Sequence, residues 1–512
     1  MAQTPQPPLT PTPGYTYAHA EQQQQQQQHE RQPQQYGGIA VFSGGTAANF
    51  LVDVFDRIVA RRKCPLLRYI IPISDNGGSS SELIRVFGGP SVGDVRSRLV
   101  RLIPNPHGDE ERTALKTLFE YRLSADPMTA RTEWLDIVES RHLLWTFISS
   151  QKRELIRSVF NTLNLEIVKR NRPTSVFNFA EASVGNLFLT GARLFSGSFE
   201  SAIYLLALIC AIPETTAVLP AINSNFTHHI SAGLCDGSTL AGQVAISHPS
   251  GPTAVPDDTF HPTGNKHLDL DRIEDANLPG SLPVLRGHNA AFAKDDEEDL
   301  PTRIDRIWYI NPYGHEIWPV ANPKVLAALD ESDVVVYSIG SLYTSIIPSL
   351  ILRGVGGAIA RDPTKKKVLV LNSKVDRETG PRMGLGPMTA VDFVKAVAKA
   401  AKESQTDFGP VGDQEVRKYV THLVYLEGAE SGGIVGGSRL SRDGVLSGAR
   451  GQAPIQGQQQ GVLMPKVDVG ELKKLGIVCV KVKGTVVGEG HKMMVRYEEE
   501  TLIEALEGII AE

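Results

Sequence analysis

Cysteine is scarce: Cys64, Cys210, Cys235 and Cys479 are the 4 in 512 residues, and no two form a CxxC pair. That argues against a zinc ribbon and a secreted disulfide framework, and for a reducing compartment. Long apolar runs are missing as well. The best candidate, Ala202 to Ile212, is stopped by Pro213-Glu214, short of the roughly 18 residues that a membrane span needs, and reads as a core helix. Charge of one sign is nearly absent. Lys+Arg of 52 against Asp+Glu of 57 leaves a net charge of −5, which gives no field to hold a nucleic acid or an anionic membrane. The N-terminus lacks a charged-then-apolar signal pattern. The expectation is a cytoplasmic protein with neither nucleic acid nor membrane as partner.

Aliphatic residues are nearly missing from the first 35 positions, which hold 12 Gln and 6 Pro, with seven consecutive Gln from Gln22. Such a segment cannot offset the entropy of ordering its backbone, so residues 1–36 read as a disordered tail, of a kind that hints at a eukaryotic source. The hydrophobic fraction of the whole chain, 41%, still permits a core of ordinary size, though not along its full length.

Order is expected to begin at Gly38-Ile39-Ala40-Val41-Phe42, an apolar run that breaks into Ser43-Gly44-Gly45-Thr46. From Ala47 to Arg62, Phe50, Leu51, Val54, Phe55, Ile58 and Val59 recur at helical spacing. The pattern repeats: strand Leu67 to Ile73, then Ser74-Asp75-Asn76-Gly77-Gly78-Ser79-Ser80-Ser81, then a helical stretch from Glu82 to Val86. Two strand–turn–helix units in series predict an α/β, Rossmann-like, doubly wound and mainly parallel sheet. Later strands of it are expected at Ala217–Leu219, Arg306–Ile310, Val334–Ile339, Lys367–Leu371, His422–Leu426 and Ile477–Val482. A helical insertion is expected over about 107–175, a mobile one over about 248–305, and a Gly/Gln-rich loop over about 428–463. Together with the tail, these divide the chain into 1–36 and one α/β domain over 37–512.

Ligands of open α/β sheets sit beyond the carboxyl ends of the strands, where free N–H groups attract anions. Four segments carry chemistry suited to that edge. Gly44, Gly45 and Thr46 would let backbone approach a phosphate, or simply make a tight turn; they match neither GxGxxG nor a P-loop. In Asp75-Asn76-Gly77-Gly78-Ser79, Ser79 and Glu82 have capping-box spacing. Asp75 is not needed for that cap, and reads as a metal ligand, a ribose acceptor, a base or an Asx-turn residue. In the third, Asp94 reads as a possible helix cap. Of Arg96, Arg98 and Arg101, at most two would serve a phosphate, the rest being solvated. The fourth, Gly340-Ser341-Leu342-Tyr343-Thr344-Ser345, suits a diphosphate cradle or a capped helix start. Asn186 and Asn372 are lesser candidates. His228 and His229 are expected as a surface pair, and no HExxH, GxSxG or kinase signature occurs.

The order and wording of Ser43-Gly44-Gly45-Thr46, Asp75-Asn76-Gly77-Gly78-Ser79-Ser80, Gly93-Asp94-Val95-Arg96, Gly185-Asn186-Leu187 and Gly340-Ser341-Leu342-Tyr343-Thr344-Ser345 resemble the family uniting 2-phospho-L-lactate transferase (CofD) with the bacterial gluconeogenesis factor. The resemblance covers about 37 to 400, with a final strand near Ile477, and is closer to the gluconeogenesis-factor branch. It implies a Rossmann-like core. The transferase branch moves a phosphorus-containing group from a nucleoside-diphosphate donor to a deazaflavin hydroxyl with Mg²⁺; the other binds nucleotide-sugar ligands and regulates carbon metabolism. Carried over, it implies Asp75 as catalytic and metal-binding residue, and Gly44, Gly45, Thr46, Asn76, Gly77, Gly78, Ser79, Asp94, Arg96, Asn186, Gly340, Ser341, Thr344 and Ser345 around a nucleotide diphosphate or nucleotide sugar. That branch has Gly-Gly-Gly-Thr-Gly where this chain reads Ser43 to Ala47, and two aspartates where it has Asp75-Asn76. A small-molecule nucleotide is the expected partner, with homodimerisation left open.

Overall fold

The computed structural model describes residues 37–44, 47–62, 66–74, 77, 79–104, 108–172, 176–247, 300–380, 386–431, 434–435, 462–487 and 494–511. The expected tail, the body of the 248–305 insertion and most of the Gly/Gln-rich loop lie outside them. Strand β1 (Gly38–Phe42) is buried along its whole length, as the middle of a sheet covered on both faces must be. The Val52–Arg62 helix connects it to β2 (Leu67–Ile71), and β3 (Thr216–Pro220) pairs on the far side of β2.

Four strands then build a separate antiparallel sheet: β4 (His229–Leu234), β5 (Thr239–Ala241), β6 (Ile304–Ile310) and β7 (Glu316–Ile317), in the order β5-β4-β6-β7. This corrects the expectation for Arg306–Ile310. That run pairs antiparallel with β4, Ser231 opposite Trp308 and Ala232 opposite Ile307. The physical signal is in its alternation: Ile307 and Tyr309 are buried while Arg306 and Trp308 are half-buried, as on a sheet with one partly solvated face. The same sheet buries His229 to 3% exposure, so the expected surface histidine pair is half wrong.

The chain returns to the first sheet with β8 (Ser332–Tyr337), β9 (Lys366–Val370) and β10 (His422–Leu426). After a two-residue ladder of β11 (Ile434–Val435) and β12 (Val462–Leu463), β13 (Val478–Val482) completes it. The order is β13-β10-β9-β8-β1-β2-β3 and every pair is parallel. A hairpin of β14 (Gly484–Val487) and β15 (Met494–Tyr497) follows, and the Tyr497 hydroxyl shares its O–H between the Leu371 and Val424 carbonyls at 2.6 and 3.2 Å, tying the end of β9 to the middle of β10.

Residues 110–170 form three helices, Glu110–Glu120, Pro127–Val138 and Ser150–Arg170. Asp109 and Asp126 cap the first two by accepting from the Arg112 and Thr129 N–H groups. Trp134, Phe160 and Phe188 form an edge-to-face chain, 5.2 and 5.9 Å between ring centres, that docks this group on the Val184–Ser196 helix. Gly191 permits the close approach, since a Cβ there would lie 2.9 Å from the Val159 carbonyl oxygen. Among the described residues no helix is long and apolar enough to cross a membrane.

Candidate functional site

From β1 the chain steps outward to β2 and β3, then reappears on the other flank of β1 as β8. The strand order therefore reverses between β1 and β8, the place where a doubly wound sheet leaves a crevice beyond its carboxyl ends. Two of the sequence-marked turns meet there. Ser338, the first residue past β8, donates its N–H to the Phe42 carbonyl at 3.0 Å. Its hydroxyl is buried and has no hydrogen-bond partner among the described residues. A Cβ on Gly44 would fall 2.9 Å from Ser345 Cβ and 3.2 Å from Ser345 Cα, so a side chain at position 44 would force the two turns apart.

Gly340 adopts φ +147, a conformation that a Cβ makes costly. Asn372, in the loop after β9, grips its peptide from both sides: the Gly340 N–H donates to Asn372 Oδ1 at 3.1 Å, and Asn372 Nδ2 donates to the Gly340 carbonyl at 2.7 Å. The side-chain-capped helix start expected after Gly340 is replaced by a π-turn over Leu342–Ile346, with no side-chain cap from Ser341. Pro348 has no N–H to offer Thr344, so the α-helical ladder cannot start earlier. Thr344 and Ser345 are 2% and 7% exposed. Tyr343 points the opposite way, its hydroxyl on the Ile304 carbonyl at 3.3 Å.

The β2 side gathers the remaining marked residues. The loop before the Gly93–Arg101 helix crosses the end of β2, where the Ser91 N–H meets the Ile73 carbonyl at 3.0 Å. A Cβ on Gly93 would lie 2.9 Å from Ser80 Oγ, so this loop lies against the start of the Ser79–Phe87 helix, in which Glu82 pairs with Arg85 at 2.6 Å. Asp94 stands inside the first turn of its helix instead of capping it; Val92 occupies the N-cap. Arg96 Nε donates to Asn186 Oδ1 at 3.1 Å. The arginine lies flat over Gly185, where a Cβ would come within 2.8 Å of Arg96 Cγ and Cδ. Burial, then the neighbouring Arg122, brings the Arg96 guanidinium down to about 10.

Arg98 is not solvated, contrary to the expectation for the surplus arginines. It is 1% exposed, donates to Ser43 Oγ at 2.6 Å and to the Ala48 carbonyl at 3.4 Å, and lies 4.6 Å over the Tyr69 ring. It braces the turn after β1. Arg101 pairs with Asp53. Gly45, Thr46, Asp75, Asn76 and Gly78 lie outside the described residues, as does the Ser79 side chain. The magnesium expectation rests on Asp75, and among the described residues no group of three His, Cys, Asp or Glu could hold a metal.

The sequence reading missed Glu378. It stands at 1% exposure beneath the Gly340–Ser345 turn, accepting the Tyr343 N–H at 2.8 Å and bonding Thr344 Oγ1. The available signal was positional: Asp376-Arg377-Glu378 follows β9 and so falls on the ligand edge. His228, half-buried, donates Nδ1–H to the Phe226 carbonyl at 3.0 Å, so its Nε2 carries the lone pair; burial lowers its pKa.

The sequence profile of the family described as 2-phospho-L-lactate transferase CofD matches residues 39–430. The chain belongs to the CofD family. An uncharacterised Saccharomyces cerevisiae protein, YNL011C, is 40% identical over 412 residues, 77% of this chain and 90% of its own. That agrees with a eukaryotic source. Proteins of Nostoc and Thermotoga maritima, named provisionally as gluconeogenesis factors, are 23% and 22% identical over 72% and 77% of this chain, and over 53% and 84% of their own. The crystal structure of a Bacillus halodurans protein, BH3568, matches 93% of this chain and all of its own with a TM-score of 0.51 at 18% identity, a likeness of fold.

Proposed function

We propose that this CofD-family protein binds a nucleotide diphosphate across the β1/β8 crevice and transfers a phosphorus-containing group from it to an acceptor hydroxyl. The observation that carries the reading is the direct packing of Gly44 on Ser345 beside the unpartnered Ser338 hydroxyl at the strand-order reversal. Glycine backbone, small hydroxyls and a turn held open by Asn372 are the parts that a diphosphate needs. Arg96, beside Asn186, would add a cation on the β2 side. In such a transfer a bond forms between the acceptor oxygen and phosphorus as the phosphorus–oxygen bond to the nucleoside monophosphate breaks, so the protein's work is positioning and charge stabilisation. Mg²⁺ would arrive with the diphosphate, with Asp75 as its protein ligand, and would neutralise phosphate charge.

A second reading is a nucleotide-sugar-binding regulator without turnover; the bacterial relatives' naming as gluconeogenesis factors supports its link to carbon metabolism. Mass spectrometry of the nucleotide that co-purifies with the protein tests the ligand class; an empty protein that also ignores added nucleoside diphosphates would refute both readings. Release of a mononucleotide when a deazaflavin acceptor is supplied decides for the transferase, and tight binding without release for the regulator.

A further inference from the structure

Glu378 is a buried acid with no cation. Among the described residues no lysine, arginine or histidine pairs with it; its partners are the Tyr343 and Thr344 N–H groups and the Thr344 hydroxyl. The nearest charge, Asp376 on its own loop, has the same sign, and its Oδ1 is turned to the Thr379 N–H at 3.0 Å. Arg377 turns away to the Ile246 carbonyl at 3.2 Å. From the other elements, Asp392, Arg303 and Cys235 face Tyr343 without bonding Glu378. Burial first, then Asp376, pushes the Glu378 carboxyl up to about 8. At neutral pH it keeps its proton.

A protonated carboxyl has one O–H to give. Since Oε2 is occupied as the acceptor of the Tyr343 N–H, the proton belongs on Oε1, directed at Thr344 Oγ1. The threonine then has its own proton to donate elsewhere. Were Glu378 ionised, Thr344 would have to donate to it and would turn only lone pairs toward an anion.

We propose that Glu378 is a positioning residue of the diphosphate site and works as a neutral acid, donating an O–H hydrogen bond to Thr344 Oγ1 so that the Gly340–Ser345 turn offers donors to phosphate oxygens. The inference rests on the diphosphate reading above. It makes anion binding proton-linked through a residue that need not touch the ligand. In Glu378→Gln the amide oxygen can still accept the Tyr343 N–H and the NH₂ can still donate to Thr344 Oγ1, without titrating.

The test is calorimetric titration of wild type and Glu378→Gln with inorganic pyrophosphate from about pH 6 to about pH 9, compared as a ratio at each pH so that ionisation of the probe cancels. The ratio of wild-type to variant affinity should stay near one at low pH and fall about tenfold by the upper end. If both proteins bind and the ratio is flat, the proposal is overturned. If neither binds, it is the diphosphate reading that fails. Glu378 is then judged by the infrared spectrum of wild-type protein, which also serves if the variant does not fold: a protonated buried carboxyl must persist at neutral pH and vanish as pH crosses about 8. Its absence at neutral pH overturns the neutral acid independently.

Discussion

The two walls of the crevice are built on different principles. On the β8/β9 wall, polar groups face inward and satisfy one another: Asn372 closes on the Gly340 peptide and Glu378 on Tyr343 and Thr344. The β2 wall carries formal charges, with Arg96 on Asn186 and Asp94 in a helix's first turn half-buried and the Glu82–Arg85 pair buried. The first wall shapes backbone and the second supplies charge. Neutral buried bonds hold a turn rigid because breaking one strands a desolvated group, whereas the half-buried charges of Arg96 and Asp94 can still reach a ligand.

The largest effect should come from attacking the shaped wall at its backbone. Gly340→Ala forces a Cβ into φ +147 and should cost about 3 kcal/mol of stability, with pyrophosphate binding lost; urea unfolding and calorimetry check both. Asn372→Ala leaves the Gly340 N–H and C=O without their partner and should cost about 2 kcal/mol, again with weaker binding. Native binding by either variant would mean that the β8/β9 wall is not the shaped one.

Glu378→Gln should do the reverse. The folded protein holds a proton up to about pH 8 that the unfolded chain releases near 4.5, so wild-type stability falls as pH climbs through that window and levels off above it. The variant should gain on the order of 1 kcal/mol per pH unit relative to wild type across that window, read as a growing difference in unfolding midpoint. A constant difference would place an ionised carboxylate there.

On the charged wall, Arg96→Gln should lower pyrophosphate affinity by about fivefold, near 1 kcal/mol, and flatten its salt dependence while the unfolding midpoint moves little. Asp75→Ala should be the mildest for the fold, within about 0.5 kcal/mol. Its affinity loss should appear only with Mg²⁺ present; an unchanged affinity and turnover would leave Asp75 a turn residue.

Much of this was legible along the chain. The apolar runs at Ile39–Phe42 and Val334–Tyr337, each broken by small and hydroxyl residues, marked strands and ligand edge because a strand buried on both faces and a phosphate-sized turn each have a local composition. Arg306–Ile310 misled because a short β-rich run does not declare its partner. Arg98 misled because an arginine in a polar stretch looks solvated until Tyr69 and Ser43 are brought over it. Glu378 was overlooked for the same reason: its value comes from Tyr343 and Thr344, 35 and 34 residues away.

By itself, then, the sequence determined which segments could be strands, which turns could admit a phosphate, and the family to which they belong, since these depend on side-chain size and polarity over a few neighbouring positions. Only the tertiary structure decided that β8 returns beside β1, that Gly44 and Ser345 touch, and that a carboxyl group lies sealed under the turn. Those outcomes are set by long-range packing and by the removal of water around Glu378, and desolvation is a property of the assembled neighbourhood, not of any residue type.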